Sequence, residues 1–468
     1  MTFFKVLLLF CIFPNFCDAA GNLVTKMLPP IETVIPFIGV LLSIAFFPLL
    51  IPKLWHKNEK KILAFWVLIS TWLCFISFGK VNTIHLLTYI FAREYLPFIL
   101  LIGALFIISN GIHIKINREG STKVNIIILF LGEIFSNFIG TTGTSILFLR
   151  SLLEANKNRK YKIQTVMAFI FLVSNIGGCL LPFGDPPLFL GYIKGVDFFW
   201  TATHLFPMFL IVSVALLILY GIIDQFYVKK EKFVADRNNN MYKLPIVEIT
   251  GKFNVCLMFF IVILVACTGA LPKKNAFEIF NVSISYKNLI RDIGLLLIVL
   301  ISLFHSKYAK SEMEKQKIVW APLTEVVTFF LAIFLTMAPV AAMLKGGHPF
   351  FAPIRNALLS SEHAAFLYFW LLSPFSAFLD NSPTYLIFFK MAGDANYLMH
   401  EGAKILMAIS AGSVFMGALT YIGNAPNFMV RTIAKQYGVK MPGFLGYAAY
   451  ASVILLPLFL IVSWLMLY

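Results

Sequence analysis

The sequence predicts an all-α polytopic membrane protein, an inverted repeat with two re-entrant hairpins and two broken transmembrane helices. Three observations predict it. Apolar residues make up 59% of the 468-residue chain and charged residues 13%, with a mean hydropathy of +0.84, which is the balance of a membrane protein rather than a soluble domain. Two polar clusters interrupt membrane-length apolar runs, and both recur about half a chain later. Ser136-Asn-Phe-Ile-Gly-Thr-Thr-Gly-Thr144 aligns with Ser376-Ala-Phe-Leu-Asp-Asn-Ser-Pro-Thr384, and Pro182-Phe-Gly-Asp-Pro-Pro187 with Tyr421-Ile-Gly-Asn-Ala-Pro426. The spacing is kept too: Ser136 stands as far from Gly184, within one residue, as Ser376 does from Gly423.

Taken in order, residues 1–20 read as a removable signal peptide. Lys5 precedes an apolar run from Val6 to Phe13, and the small residues Cys17 and Ala19 are placed for cleavage near Ala19 or Ala20, leaving the mature N-terminus outside. The first membrane half, 21–226, has apolar runs at 33–52, 62–79 and 95–112, near the roughly 20 residues a spanning helix needs. The run 124–153 carries the first polar cluster at its middle and is predicted to enter and leave on one side. The run 164–192 carries the second cluster and is predicted to be a broken helix, and 205–226 closes the half. Residues 227–253 are charged and are expected to form a cytoplasmic linker. The second half, 254–468, repeats the plan with runs at 255–271, 289–305 and 324–345, a hairpin at 362–390, a broken helix at 403–433 and a last span at 443–467.

Charge sets the orientation. If 33–52 runs from outside to inside and the hairpins do not cross, Lys and Arg collect in the inner loops at 53–61, 115–123, 150–162, 229–252, 307–317 and 431–440. The outer loop 272–291 runs against this bias, with Lys273, Lys274, Lys287 and Arg291. In this frame the two halves face opposite ways and the C-terminus lies outside, yet Glu94-x-x-x-Phe98 and Glu325-x-x-x-Phe329 open equivalent spans alike. The formal charge of +16 therefore serves topology; no basic groove with interleaved aromatics suggests nucleic acid. Cys74, Cys179, Cys256 and Cys267 lie in or near apolar spans, and Cys11 and Cys17 in the first 20 residues, with no CxxC spacing for a metal or redox centre.

Backbone broken at membrane depth must be covered by protein or face a watery cavity, so paired breaks point to a transport site. Each expected half-site joins a hairpin tip to a break. The first tip offers Ser136, Asn137, Thr141, Thr142 and Thr144, and its break Asn175, Gly184 and Asp185. The second tip offers Ser376, Asp380, Asn381, Ser382 and Thr384, and the following span Ser410, Ser413, Gly423 and Asn424. One carboxylate falls in each half, Asp185 matching Asn424 and Asp380 matching Gly140. Hydroxyls, carbonyls and one carboxylate suit a hard cation such as Na+, while half-helix N-termini beside the breaks favour a carboxylate-bearing substrate. The ligand set alone does not choose.

An Asp near the bilayer centre costs about 2.5–3.5 kcal/mol to insert, so Asp185 and Asp380 need a reason to be there: a functional role or, on the plainer reading, a helix cap. An acid that releases its proton when a cation arrives gives proton-for-cation exchange, so Na+ and H+ are the expected ions, with no cofactor. Glu94 and Glu325 read either as interfacial carboxylates or as coupling residues. Ser410 and Ser413 can bond back to the preceding helical turn. The eight His suggest no metal cluster, the many Phe read as lipid-facing or core residues, and Asn281-Val-Ser283 matches a glycosylation acceptor.

Ser174-Asn-Ile-Gly-Gly178 followed by Pro182-Phe-Gly-Asp-Pro-Pro187, with Gly140-Thr-Thr-Gly143, Asp380-Asn381 and Ile422-Gly-Asn-Ala-Pro426, resembles the NhaD-type Na+/H+ antiporters. It is similar, more closely still, to their relatives the citrate transporters of the ion transporter superfamily, over nearly the whole chain from about residue 30. The resemblance implies a homodimeric secondary transporter of a bacterial-type inner membrane. It implies a cation site at Asn175 and Asp185, polar positions at Ser376 and Asn381 in the second hairpin, and a serine pair at Ser410 and Ser413; the residues themselves add Asp380 and Asn381 to Asp185 and Asn175 as candidate Na+ ligands. Two positions depart from the antiporter pattern: Gly140-Thr141 stands for Asp-Asn, and Pro187-Leu188 for Thr-Thr. The leading expectation is Na+/H+ antiport by alternating access; the alternative is cation-coupled transport of citrate or another carboxylate. An intramembrane aspartyl protease would use two membrane Asp residues, but its Tyr-Asp and Gly-x-Gly-Asp motifs are missing here, and a passive channel would need an open path.

Overall fold

Length and hydropathy decide the helices. The computed structural model describes residues 28–231, 247–272, 274–279, 282–308 and 320–468; the expected signal peptide, most of the expected linker and Asn281 lie outside the described residues. Among those described, eight helices are long and apolar enough to cross a membrane, and the chain is an all-α polytopic membrane protein.

The first half opens with α1 (Ile35–Leu50) and α2 (Pro52–Ile90), each with proline in its first turn, where the missing N–H has no helical partner to lose. The hydropathy pattern ends this second span at 79. Gly79 instead turns at φ 75° and ψ 171°, a conformation free to glycine, and the helix resumes, passing through a π turn at Phe91–Tyr95 into α3 (Leu96–Ser109). Then come α4 (Thr122–Ile139) and α5 (Thr141–Ala155), joined at Gly140 and packed against each other. The broken helix consists of α6 (Ile163–Leu172), a 3-10 turn at Ile176–Gly178 and α7 (Pro186–Lys194), and α8 (Trp200–Glu231) follows.

The second half contains α9 (Lys252–Ala270), α10 (Tyr286–Tyr308), α11 (Ala321–Gly346) and the short α12 (Ala352–Leu359). Its hairpin is α13 (Ala364–Leu379) and α14 (Asn381–Ala392), joined at Asp380, followed by α15 (Ala395–Met399). Its broken helix is α16 (Ala403–Met416), a 3-10 turn at Gly417–Leu419 and α17 (Ala425–Gln436), and α18 (Phe444–Leu467) ends the chain.

Two small antiparallel ladders add to the helices. β1 (His113–Ile116) pairs with β2 (Val247–Thr250), and β3 (Asn275–Ile279) with β4 (Val282–Ser285). Strands this short, at the ends of membrane helices, leave no alternation long enough to read in sequence. Within 227–253, α8 runs on to Glu231, and β2 and the start of α9 occupy the other end.

Lipid offers no hydrophobic drive between helices, so close packing and buried hydrogen bonds must hold them. Gly412 shows the first: a Cβ there would stand 2.9 Å from Leu372, so α16 and α13 approach at the distance glycine permits. The second recurs in register. Ser136 Oγ of α4 donates to the Val173 carbonyl at 2.7 Å, and Ser376 Oγ of α13 donates to the Ser413 carbonyl at 2.6 Å, so each hairpin is fastened to its broken helix at the same place.

Candidate functional site

Each break is a small closed loop held by glycine. A Cβ at Gly184 would stand 2.2 Å from the Gly178 carbonyl oxygen, and one at Gly423 would stand 2.6 Å from that of Gly417. Only bare backbone passes itself that closely, so both loops turn where the sequence repeats. The helices beyond restart with Asp185 and Asn424 as N-caps in the same extended conformation, φ −142° and ψ 143° against φ −150° and ψ 137°, and Pro187 and Pro426 stand in their first turns.

The hairpin tips meet these restarts. Thr141 N–H donates to the Gly184 carbonyl at 2.8 Å, tying the first tip to the first break. Asp185, 1% exposed, then gathers donors from three other elements. Thr141 Oγ1 of α5 donates to Oδ1 at 2.9 Å, Asn424 Nδ2 of the second break donates to Oδ1 at 3.1 Å, and Asn381 Nδ2 of α14 donates to Oδ2. Two of these partners come from the opposite half. Asn424 also donates to the Ser174 carbonyl and to Asn175 Oδ1, and Asn175 Nδ2 donates to Asn427 Oδ1 at 2.7 Å. The halves are thus stitched together through their breaks.

Beside this knot lies a cavity of about 90 Å³, well above the ~10–15 Å³ that one water needs. Its polar side is formed by Gly140, Thr141 and Thr142 of the first tip, Asp380, Asn381 and Ser382 of the second, with Gly184 and Asn424 of the breaks. Its apolar side is formed by Phe106 of α3, Phe189 of α7 and Phe330 of α11. Four helices, α5, α7, α14 and α17, begin at this cavity, so four positive dipole ends converge there. Asp380 is half-buried at the cavity and within electrostatic reach of Asp185. Each Asp185 oxygen accepts from Thr or Asn, which is not the shared-proton geometry of an aspartyl dyad.

Several expected site residues stand elsewhere. Asn137 Oδ1 accepts from Leu180 N–H, Thr384 Oγ1 donates to the Asp380 carbonyl, and Ser413 Oγ bonds back to the Ile409 and Ser410 carbonyls. With Ser136 and Ser376, they hold helices rather than line the cavity. Thr144 and Ser410 are fully buried off the cavity. Of the four expected cation ligands, Asp380 and Asn381 line the cavity, Asp185 lies beside it beneath its three donors, and Asn175 is bonded to Ile170, Asn424 and Asn427.

Glu94 and Glu325 share a motif but not an environment. Glu94 is 4% exposed in the π turn and pairs with Lys194 at the end of α7, with Lys390 of α14 also in electrostatic reach; Glu325 is exposed on the first turns of α11. Sequence reasoning missed Asn427, whose signal was its place in Asn424-Ala-Pro-Asn427. It also missed the Phe wall, which nothing separates from other Phe in the chain, and Glu133, buried on α4.

Paired hairpin tips and helix breaks around one cavity with a polar side, in a multi-pass membrane protein, are the architecture of secondary transporters. Residues 26–467 match the model of the family described as "Putative citrate transport", and the chain belongs to that family. No curated protein matches the chain.

Proposed function

We propose that the protein is a secondary active transporter that moves citrate or a related carboxylate together with a cation. One observation carries this reading: four helix N-termini open on a cavity that also holds Asp380 and adjoins Asp185, and no Lys or Arg is among the described residues that line it. The N-termini attract carboxylate oxygens. Two acids repel them. A carboxylate substrate is therefore accommodated when a cation enters with it, held by Asp185, Asn175, Asp380 and Asn381, and coupling follows from electrostatics. Family membership supports the carboxylate. We further propose a homodimer in a bacterial-type inner membrane, with both termini outside.

Na+/H+ exchange at the same centre is the second reading, favoured by Asp185 having only neutral hydrogen-bond donors. Purified protein in liposomes separates the two. Uptake of labelled citrate driven by a cation gradient, with no pH change on a Na+ jump in the absence of organic acid, is the expected result. A Na+ jump that moves internal pH with no acid present, and no citrate uptake, overturns it in favour of exchange.

A further inference from the structure

Glu133 on α4 is 0% exposed, in a helix long and apolar enough to cross the membrane. Ser213 Oγ of α8 donates to its Oε1, while its Oε2 has no hydrogen-bond partner among the described residues. Among the described residues, the other fully buried acid away from the cavity, Asp224, is paired with Arg159 at 3.0 Å, and Glu94 with Lys194. No charged side chain among the described residues acts on Glu133.

The elements packed around α4 explain why. The helices α3 and α6 contain no ionisable residue. Arg150 and Glu154 of α5 and Lys252, Cys256 and Cys267 of α9 are exposed, and on α8 Tyr220 and Asp224 are bonded to Thr165 and Arg159. The titratable neighbour in electrostatic reach is the buried Cys179 thiol, in the first break. A metal ion such as Na+ wants several oxygens, and among the described side chains only the Glu133 carboxylate and the Ser213 hydroxyl are shown together here. A lone orphaned carboxylate oxygen in hydrocarbon is suited to a proton.

Its place links it to the break. Gly177 lies so close that a Cβ there would stand 2.8 Å from the Glu133 carbonyl oxygen, so the 3-10 turn of the first broken helix rests on this residue. In the register that matches Ser136 to Ser376, the second half has Ser373, whose hydroxyl bonds back to the Phe369 carbonyl. The acid therefore belongs to one half alone and is not a copy of the cavity site.

We propose that Glu133 is a separate proton-binding site, which takes up and releases a proton at Oε2 as the transporter cycles. This rests on the transporter reading above. The test is the protein in liposomes with an internal pH dye and labelled citrate, comparing wild type with Glu133→Gln. The expected result is that the variant's ratio of protons to citrate falls; an unchanged ratio overturns the proposal. If citrate moves in neither, the transport reading has failed on its own, and infrared titration of the same samples decides the site. Loss of one protonated-carboxyl band in Glu133→Gln supports it, and an unchanged band set overturns it. Should Glu133→Gln fail to fold, Ser213→Ala replaces it: a displaced pH midpoint of that band or of uptake supports the proposal, and an unmoved midpoint overturns it.

Discussion

Asp380 adopts, at φ 83° and ψ 145°, the backbone conformation that Gly140 adopts at φ 85° and ψ 149° in the other half. Asp380 is the non-glycine residue with positive φ among those described. This region suits glycine, and holding an L-residue there costs about 1–3 kcal/mol. The protein retains a carboxylate at the cavity where the fold asks for none. Asp380→Gly is therefore expected to raise the melting temperature while abolishing transport. Thermal denaturation and uptake on the same preparation check it, and a variant melting below wild type would contradict the strain.

Gly184→Ala and Gly423→Ala each press a Cβ into a carbonyl oxygen, at 2.2 Å and 2.6 Å. Backbone cannot yield as a side chain can, so each is expected to cost about 1–3 kcal/mol and to open its loop. Gly103→Ala, with nothing within 4 Å of the new atom and a helical backbone, is the control. It is expected to be neutral or to stabilise by up to about 1 kcal/mol. Denaturation midpoints of the three variants decide the point.

Asn424→Ala removes a donor that Asp185 draws from the opposite half. A buried carboxylate losing a partner is expected to cost about 1–3 kcal/mol, read as a lower melting temperature and weaker citrate uptake. Asn424→Asp sets a third acid against Asp185 and Asp380, and uptake is expected to vanish at neutral pH. Wild-type uptake by the latter would exclude Asn424 from the centre.

Arg159 joins the start of α6 to the end of α8 through Asp224 and Glu231, with its side chain fully buried. Thr122 and Gln164 complete the bonds to Asp224. Arg159→Met leaves two buried acids uncompensated and is expected to cost about 3–5 kcal/mol. Arg159→Met combined with Asp224→Asn is expected to recover part of the loss in a denaturation series; no recovery would deny the pairing.

The fold was legible where a polar cluster broke an apolar run. Gly184 and Gly423 announce their turns because each stands near a proline and recurs at the same distance, within one residue, from its hairpin tip, and Gly140 because it lies within a polar cluster at the middle of an apolar run. The helix after Gly79 was not legible, since a single glycine in an apolar run reads equally as an end or a kink. At the site, Asp185, Asn424 and Asn381 could be named from sequence because a polar residue beside a break has little else to do. Glu133 escaped because it stands within a helix, away from any break, and its burial depends on α8 some eighty residues further on. Ser136 and Ser413 were named as site residues because a hydroxyl's direction is invisible in sequence; both bond to nearby backbone.

The bonds from Ser136 to Val173 and from Ser376 to Ser413 fasten each hairpin to its own broken helix, and the bonds of Asp185 and Asn424 fasten the pairs to each other. Between that block and α3 and α11 lie Phe183 and Phe189 on one side and Leu105, Phe106, Val326 and Phe330 on the other, whose side chains offer no hydrogen bond to break. If the block shifts against α3 and α11 as one piece, such a seam has few polar contacts to give up, and the Glu94–Lys194 pair is the contact expected to part first.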